Sequence, residues 1–353
     1  MTIRTPDETP APILVTGGAG YIGQVLTAAI TALGYPIRHL DALWFTGSLL
    51  PNASDAQNPM DVRDVLAAQI VGCRQVFHLA ALSNDALGAL NEKLTWDINF
   101  SATVRLAEAA KAAGVRRFIY FSTCSVYGSC SGDRPLEESH EAAPLTAYAA
   151  SKLASERHLQ TLSEPTFEVV VLRNATAFGP SSCPRLDLVF NDFVDNALRQ
   201  KCITMLSDGN AIRPFVHVRD IVNVALFFIT HDLECTYSVI NVGSDDANLQ
   251  ISQLADIVAR IARVPLRKVE GAQRDARSYR VSFAKLGRLL PHYRFVSPEQ
   301  GVYEWLDFSL RTGLHTLERT AFVRIATLQR LLAEGQLDER LQWRSCGSDM
   351  HGD

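Results

Sequence analysis

Tyr148 and Lys152 stand four residues apart in the sequence YAASK (148–152), so a helix would place both side chains on one face. A phenol ionises near pH ~10 and is a poor base at neutral pH. A neighbouring ammonium group favours the phenolate, which can then take a proton from a substrate hydroxyl. The same spacing is common on amphipathic helices with an exposed lysine, so the pair alone only suggests acid–base chemistry.

Hydroxyl side chains follow a short apolar run, RFIYF (117–121), that reads as a strand. The next residues include Ser122, Thr123 and Ser125, with Cys124 among them. Ligands of parallel sheets bind outside the carboxyl ends of the strands. These hydroxyl groups are therefore candidates to contact a ligand.

A glycine-rich turn lies between the first predicted strand and the first predicted helix. In TGGAGYIG (16–23), Gly17, Gly20 and Gly23 have the spacing GxxGxxG. Glycine lets a diphosphate approach the backbone N–H groups at the start of a helix, where the helix dipole favours an anion. A glycine cluster alone is a weak signal, but its place between a strand and a helix predicts a dinucleotide site.

Acidic residues fit the remainder of such a dinucleotide. Asp41 ends the second predicted strand, 18 residues after Gly23. A carboxylate there hydrogen-bonds the adenosine ribose and repels a 2′-phosphate, which favours NAD over NADP, although a helix cap or a solvated acid is the alternative. Asp61 and Val62 follow a predicted third strand and are candidates to contact the adenine.

The elements that must position these residues alternate between short apolar strands and longer helical patterns. The predicted strands include 13–16, 37–40, 76–79, 117–121, 167–172, 203–206 and 237–242, and the predicted helices include 94–113, 148–162, 186–199, 219–230 and 251–262. This alternation predicts an α/β, Rossmann-type doubly wound parallel sheet with a smaller mixed α/β substrate-binding lobe. We expect the dinucleotide-binding domain at 12–179 and about 215–245, the lobe at about 180–214 and 246–343, and tails at 1–11 and 344–353.

With these motifs in the family's order over about residues 12 to 310, the chain resembles the extended short-chain dehydrogenases/reductases, in particular their NAD-dependent nucleotide-sugar epimerase/dehydratase family. The matching stretches are TGGAGYIG, Asp41, DVRD (61–64), FHLAA (77–81), FSTCSVYG (121–128), YAASK, LRNATAFGP (172–180) and RPFVHVRD (213–220). The resemblance implies a Rossmann-type fold, NAD as the cofactor and a nucleotide-diphosphate sugar as the substrate.

The resemblance also implies site residues. Thr123 matches the catalytic Ser/Thr, Tyr148 the acid/base, and Lys152 its partner and a ligand of the nicotinamide ribose. Arg213 resembles the clamp of the substrate diphosphate, for which a guanidinium fork is suited. The cofactor-binding positions are Gly17, Gly20, Tyr21, Ile22, Gly23, Asp41, Asp61, Val62, Leu79, Ala80, Ala81 and Lys152, and the substrate-binding positions are Ser83, Thr123, Thr176, Arg185, Arg213 and Arg280, with Arg277 an alternative to Arg280.

Departures from the family pattern bear on the reaction. The 4,6-dehydratases of this family carry Asp-Glu after the catalytic threonine, and this chain has Cys124 and Ser125. Neither side chain does carboxylate acid–base work, which disfavours dehydration. Cys124 is either a second acid/base or a buried apolar thiol. Thr176 stands where many 4-epimerases have asparagine.

Composition excludes several classes of protein. The 353 residues are 47% hydrophobic and 20% charged, with a net charge of -4, which disfavours a disordered chain and a general nucleic-acid binder. No apolar run reaches the roughly 18 residues of a membrane span. The N-terminus lacks the apolar core of a signal peptide, and the seven cysteines contain no CxxC, so we expect reduced thiols, no metal site and a cytoplasmic location.

Taken together, the sequence predicts an NAD-dependent nucleotide-sugar epimerase that inverts C4 through a transient keto-sugar. A nucleotide-linked keto-sugar reductase or dehydrogenase would use the same three residues once and release its cofactor. A non-catalytic NAD sensor or scaffold is the alternative from another class. A homodimer is expected from the resemblance, through helices near 95–113 and 148–162.

Overall fold

The structure is a computed structural model that describes residues 10–50, 58–129, 134–269 and 277–344. Within these ranges the strands are β1 (Ile13–Thr16), β2 (Ile37–Leu40), β3 (Gln75–His78), β4 (Arg117–Thr123), β5 (Glu168–Asn174), β6 (Thr176–Phe178), β7 (Ile203–Met205), β8 (Ile212–His217), β9 (Tyr237–Val242), β10 (Asn248–Gln250) and β11 (Leu266–Lys268). The helices are α1 (Tyr21–Ala32), α2 (Ala67–Ile70), α3 (Asp85–Leu90), α4 (Glu92–Trp96), α5 (Ala102–Ala112), α6 (Ala147–Leu162), α7 (Val189–Gln200), α8 (Val218–Thr230), α9 (Ile251–Ala262), α10 (Ala284–Leu289), α11 (Pro298–Thr312) and α12 (Arg324–Ala333).

Six strands form one parallel sheet in the order β2-β1-β3-β4-β5-β9. The chain order reverses beside β1, so the carboxyl ends of β1 and β3 flank a crevice where ligands of such sheets bind. The predicted Rossmann-type α/β fold is confirmed.

Both faces of this sheet are buried, as the apolar runs of its strands require. Ile13 and Val15 on β1 pack in a core with residues of α1 and α8, such as Leu26 and Phe228. Leu14, between them, points to the opposite face and belongs to the core that contains residues of α5. The alternation of β1 side chains therefore contributes to two cores, one on each face of the sheet.

Shorter sheets form the second part of the molecule. The strands β10-β8-β6 make a three-stranded sheet, and β11 pairs with β7. Phe178, Phe190 and Trp305 lie in a separate core beneath them. The division into two domains stays a prediction, and α12, which it assigned to the smaller lobe, contributes Leu328 and Leu331 to a core that also contains residues of the six-stranded sheet.

Two elements differ in detail from the expectations. The helix predicted over 94–113 contains a π-helical turn at Asp97–Ser101 between α4 and α5, where the Asn99 amide bonds both backbone groups of Leu82. No strand precedes Asp61 within residues 41–50 and 58–60, and 51–57 lie outside the described ranges. The third strand of the sheet is therefore β3.

Candidate active site

A cavity of about 560 Å³ opens at the carboxyl ends of the sheet strands and extends towards the smaller lobe. Every predicted site residue except Arg280 lines it. These residues are Gly17, Gly20, Tyr21, Ile22, Gly23, Asp41, Asp61, Val62, Leu79, Ala80, Ala81, Ser83, Thr123, Tyr148, Lys152, Thr176, Arg185 and Arg213. His78, directly before Leu79, is a core residue held between the hydroxyls of Thr16 and Thr103.

The glycine turn leaves no room for side chains. Gly17 has φ +74°, and a Cβ atom there would lie 2.6 Å from the backbone nitrogen of Ala80. A Cβ atom on Gly23 would lie 2.2 Å from the Gly17 carbonyl oxygen. Gly20 caps α1 without a side-chain hydrogen bond, so N–H groups of the first helical turn are left for an anion. The turn therefore fits the diphosphate of a dinucleotide.

Asp41 is held at the end of β2 by two backbone groups. Its carboxylate accepts hydrogen bonds from the N–H of Ala19 at 3.0 Å and of Leu43 at 2.8 Å. Burial raises the pKa of this carboxyl, and the two N–H groups oppose that effect. The bonds fix a carboxylate in the cavity wall beside the glycine turn, as recognition of a ribose requires.

Asp61 also lines the cavity, but its carboxylate is already paired. Arg63 binds it with Nη2 at 2.6 Å and with its own backbone N–H at 2.8 Å. The side chain of Asp61 is therefore part of a local ion pair, and its neighbour Val62 is an apolar contributor to the cavity wall.

Two elements converge on the reactive side chains. Thr146 caps α6 by accepting the N–H of Ala149 at 3.2 Å, which places Tyr148 in the first turn of the helix and Lys152 one turn later. Thr123 ends β4, and its hydroxyl accepts the N–H of Ser125 at 3.1 Å. The sequence pattern of helix and strand end thus brings phenol, hydroxyl and ammonium into one cavity.

Burial dominates the protonation of this group. It raises the pKa of Tyr148, with the charge of Asp85 adding to the effect and a hydrogen bond with Thr123 opposing it. Burial lowers the pKa of Lys152 to about 7. The Lys152 ammonium donates to the Phe121 carbonyl at 2.9 Å and lies 4.6 Å from the centre of the Tyr120 ring. The protein alone therefore keeps the phenol protonated.

A buried ion pair lies behind β4, and it was not predicted. Glu156, one turn after Lys152 on α6, receives Nη2 of Arg173 at 2.7 Å and the hydroxyl of Ser122. Glu156 and Arg173 are 2% and 6% exposed. The i, i+4 spacing of Lys152 and Glu156 was the available signal, but nothing in the sequence pointed to its partner on β5.

Cys124 faces this interior rather than the cavity. Its thiol is 1% exposed and donates to the Arg173 carbonyl oxygen at 3.1 Å. Burial raises the pKa of the thiol, so the thiolate is strongly disfavoured. Of the two interpretations of Cys124, the geometry favours the buried thiol, while Ser125 lines the cavity.

Polar side chains crowd one wall of the cavity. Arg185 pairs with Asp187 at 2.6 Å and donates to the Ser83 hydroxyl at 3.1 Å. The Asn84 amide donates to the same Asp187 at 2.9 Å. Asp187 was missed by sequence reasoning because a lone acid in a loop carries no motif.

The second predicted clamp is corrected from Arg280 to Arg277. Arg280 is exposed and lies outside the cavity wall, whereas Arg277 and Tyr279 line it. The segment is extended, with its backbone bonded to Ile212 at Tyr279 and to Leu136 at Arg280, so alternate side chains point to opposite sides.

Arg277 and Arg213 meet in the cavity wall. Arg277 pairs with Asp85, whose other oxygen accepts the Thr146 hydroxyl at 2.6 Å. Arg213 donates to the Arg277 carbonyl oxygen and lies 5.4 Å from the centre of the Tyr279 ring. The arrangement offers two guanidinium groups to an anionic substrate.

No helix among the described residues has the length and apolar character needed to cross a membrane. Nor do those residues bring three or more His, Cys, Asp or Glu side chains together in a manner suited to a metal ion.

Comparison with known proteins gives relatives of two activities. The chain is 26% identical to the UDP-glucose 4-epimerase of Rhizobium meliloti over 319 residues, covering 83% of this chain and 96% of that enzyme. It is 30% identical to the dTDP-D-glucose 4,6-dehydratase of Bos taurus over 238 residues, covering 64% of this chain and 66% of that enzyme.

Among solved structures, MoeE5 in complex with UDP-glucuronic acid and NAD is similar, with a TM-score of 0.75 at 25% identity over 85% of this chain and 99% of MoeE5. The family model for the NAD dependent epimerase/dehydratase family matches residues 13–243, from the first strand of the sheet to just past the last. With the glycine turn and Asp41 placed as a dinucleotide requires, the chain belongs to the NAD-dependent epimerase/dehydratase family, and its cofactor is NAD.

Proposed function

We propose that the protein is a nucleotide-sugar epimerase that inverts C4 of the sugar through a transient 4-keto intermediate. The observation that carries the proposal is the convergence of Thr123, Tyr148 and Lys152 on the cavity that also contains the glycine turn. A nucleotide-diphosphate sugar fits the opposite end, where Arg213 and Arg277 present positive charge.

In the proposed reaction Tyr148 accepts the proton of the C4 hydroxyl while the hydride leaves C4. The interaction of the Tyr148 phenol with the Thr123 hydroxyl supports a role for both side chains at one sugar oxygen. NAD, when bound, supplies the hydride acceptor and a positive charge that opposes the effect of burial on the phenol. After the keto-sugar turns in the cavity, the hydride would return to the opposite face of C4 while Tyr148 returns the proton to its oxygen.

Lys152 and Arg213 hold the reactants in this proposal. Lys152 is fixed by the Phe121 carbonyl beside Tyr148, in reach of a nicotinamide ribose. The pKa of Lys152, lowered by burial to about 7, makes its charge sensitive to the group bound beside it. Arg213 binds the substrate diphosphate, as its buried position at the far end of the cavity allows.

Dehydration is less well supported than epimerisation. Elimination of water across C5 and C6 needs an acid and a base beside the sugar, and the residues after Thr123 are Cys124 and Ser125. The Cys124 thiol is buried away from the cavity. Asp85 and Asp187 are carboxylates of the same cavity wall, and each is paired with an arginine, Arg277 and Arg185 respectively.

The proposal is tested by incubating a panel of nucleotide sugars with the purified protein in D2O without added cofactor. Proton NMR and mass spectrometry should reveal a C4 epimer without carbon-bound deuterium, since the hydride returns internally. Deuterium at C3 or C5 would indicate proton exchange beside a ketone. Turnover of a keto-sugar only after NADH or NADPH is supplied would replace the proposal with a reductase.

Tyr148→Phe tests the assignment of the acid/base. We expect turnover to fall by roughly 10²- to 10⁴-fold while NAD binding is retained, because only the proton-transfer group is removed. Tyr303→Phe, on the exposed face of α11, is the matched control and should leave turnover unchanged. Equal activity of Tyr148→Phe and the parent protein would contradict the mechanism.

A further inference from the structure

Arg324 is a buried arginine that reaches the cofactor cavity from the C-terminal part of the chain. It is the first residue of α12, lies beyond the stretch matched by the family model, and is 2% exposed. Its side chain forms part of the cavity wall together with Asp41, Trp44 and Phe45. Nothing in the sequence analysis singled it out, because it belongs to no motif.

The groups in direct contact with the Arg324 guanidinium are neutral. Its guanidinium donates to the Ser48 hydroxyl at 3.2 Å and to the Cys183 sulfur at 2.8 Å, and it lies 4.0 Å from the centre of the Phe45 ring. No carboxylate in the described part of the chain forms an ion pair with it within 4.0 Å, but its charge acts from a longer distance to oppose the effect of burial on the pKa of Asp41 and to lower the pKa of Asp187. A buried charge is costly unless it is paired, and the dipole at a helix N-terminus disfavours a cation. This position therefore suits an anion in the cavity.

The surrounding backbone places Arg324 beside the start of α1. Cys183 follows Ser181, whose hydroxyl donates to the Tyr21 carbonyl oxygen at 2.7 Å in the first turn of that helix. Ser48 donates to the Ala321 carbonyl at 2.5 Å, which fixes the loop after Asp41 against the entry to α12. The segment that contains Cys183 therefore adjoins the glycine turn, and the segment that contains Ser48 follows Asp41.

The end of the described chain holds the same loop. The Trp343 indole N–H donates to the carbonyl oxygen of Ala42, the residue after Asp41, at 2.6 Å. The C-terminal segment from Arg324 to Trp343 therefore contacts the adenosine side of the cavity at two places.

We propose that Arg324 binds the diphosphate of NAD on the side opposite the glycine turn and so retains the cofactor between turnovers. The diphosphate is the anion that the cofactor brings into this part of the cavity. The turn supplies backbone N–H groups to it, and a guanidinium adds two strong donors in a fork that matches phosphate oxygens. Retention suits a reaction whose hydride returns internally, but the inference rests on NAD and not on epimerisation.

The test compares the affinities of the Arg324→Gln and Arg324→Lys variants for NAD, ADP-ribose and adenosine. NAD and ADP-ribose carry the diphosphate and adenosine does not. Calorimetry measures the affinities of the first two directly and that of adenosine by competition. A loss confined to NAD and ADP-ribose indicates a lost diphosphate contact, whereas an equal loss for all three ligands indicates a damaged site. We expect Arg324→Gln to weaken NAD and ADP-ribose about 10- to 100-fold, to accelerate NAD release, and to change adenosine affinity less than threefold. Arg324→Lys keeps the positive charge but loses the forked donor geometry, so its affinities for NAD and ADP-ribose should lie between those of the parent protein and of Arg324→Gln.

Arg330→Gln is the matched control, since Arg330 lies on the same helix and pairs with Glu334 at the surface. It should bind all three ligands as the parent protein does. The quantity compared is the ratio of ADP-ribose affinity to adenosine affinity, measured for each variant that folds. If Arg324→Gln does not fold, the same ratio is measured for Arg324→Lys. An unchanged ratio would overturn the proposal, whatever the sugar-panel experiment shows.

Discussion

Glu156→Gln should destabilise the protein by far more than the loss of one hydrogen bond. The Glu156 carboxylate receives Nη2 of Arg173 at 2.7 Å and Nε at 3.0 Å, and it also accepts the Ser122 hydroxyl. An amide of the same shape still accepts one donor, but it leaves the Arg173 charge at 6% exposure without its counter-ion. Breaking such a buried pair costs about 3 to 5 kcal/mol.

The surroundings of Arg173 favour the upper half of that range. Burial lowers the pKa of its guanidinium, and Glu156 more than offsets this effect, so the pair holds a charge that its location disfavours. The other side-chain partner of the guanidinium is the neutral Tyr127 hydroxyl, which accepts Nη1 at 3.0 Å. Burial of the remaining charge would therefore be poorly compensated.

Urea unfolding followed by circular dichroism measures the effect as a change in the free energy of unfolding. Asp307→Asn breaks the exposed pair of Asp307 and Arg311 and should cost no more than about 0.5 kcal/mol. The double variant Glu156→Met with Arg173→Met should be more stable than Glu156→Gln, because no lone charge stays buried. A cost below about 1 kcal/mol for Glu156→Gln would refute the reasoning.

Three further changes follow from the geometry. Gly23→Ala should abolish NAD binding measured by calorimetry, because its Cβ would lie 2.2 Å from the Gly17 carbonyl oxygen, while Gly287→Ala, with open space around it, should bind normally. Asp41→Asn should reduce the ratio of NAD affinity to NADP affinity at least tenfold in the same assay, because the charge that repels the 2′-phosphate is removed. An unchanged ratio would show that Asp41 does not select against NADP. Burial lowers the pKa of His78 to about 3, so the unfolded chain binds more protons between pH 3 and about 6.5 and stability is lost as the pH falls through that range. His78→Gln should make urea unfolding less dependent on pH there, by up to about 1.4 kcal/mol per pH unit; an equal slope in both proteins would contradict this.

Local sequence patterns were sufficient to predict the strands and helices that form the cofactor site. The strands Ile13–Thr16 and Ile37–Leu40 and the helix Ile251–Ala262 have the predicted bounds, because each is a short apolar or amphipathic run ended by a turn residue or a polar residue. The cavity also gathers the predicted motif residues, since the strand ends of a parallel sheet meet at one edge.

Features that depend on tertiary contacts were not predictable from the sequence. The π-helical turn at Asp97–Ser101 has no local breaker, and it accompanies the bonds of Asn99 to a distant loop. Arg277 rather than Arg280 faces the cavity because of the register of an extended segment. Arg324 comes from a helix far along the chain. The homodimer, the cytoplasmic location and the domain boundaries stay predictions.

The position of β9 in the sheet has a consequence for the newly synthesised chain. β5 ends at Asn174, and its outer neighbour begins only at Tyr237, after the strands β6, β7 and β8. At about 5 to 20 residues per second, translation of the intervening stretch leaves the edge of β5 without its partner for several seconds. Six of its seven residues, Val169 to Asn174, are buried in the finished sheet, so this edge is a site where a nascent chain could pair with another chain. Ribosomal pausing or chaperone binding between residues 175 and 242 would therefore affect the yield of folded protein more than a pause after the sheet is complete.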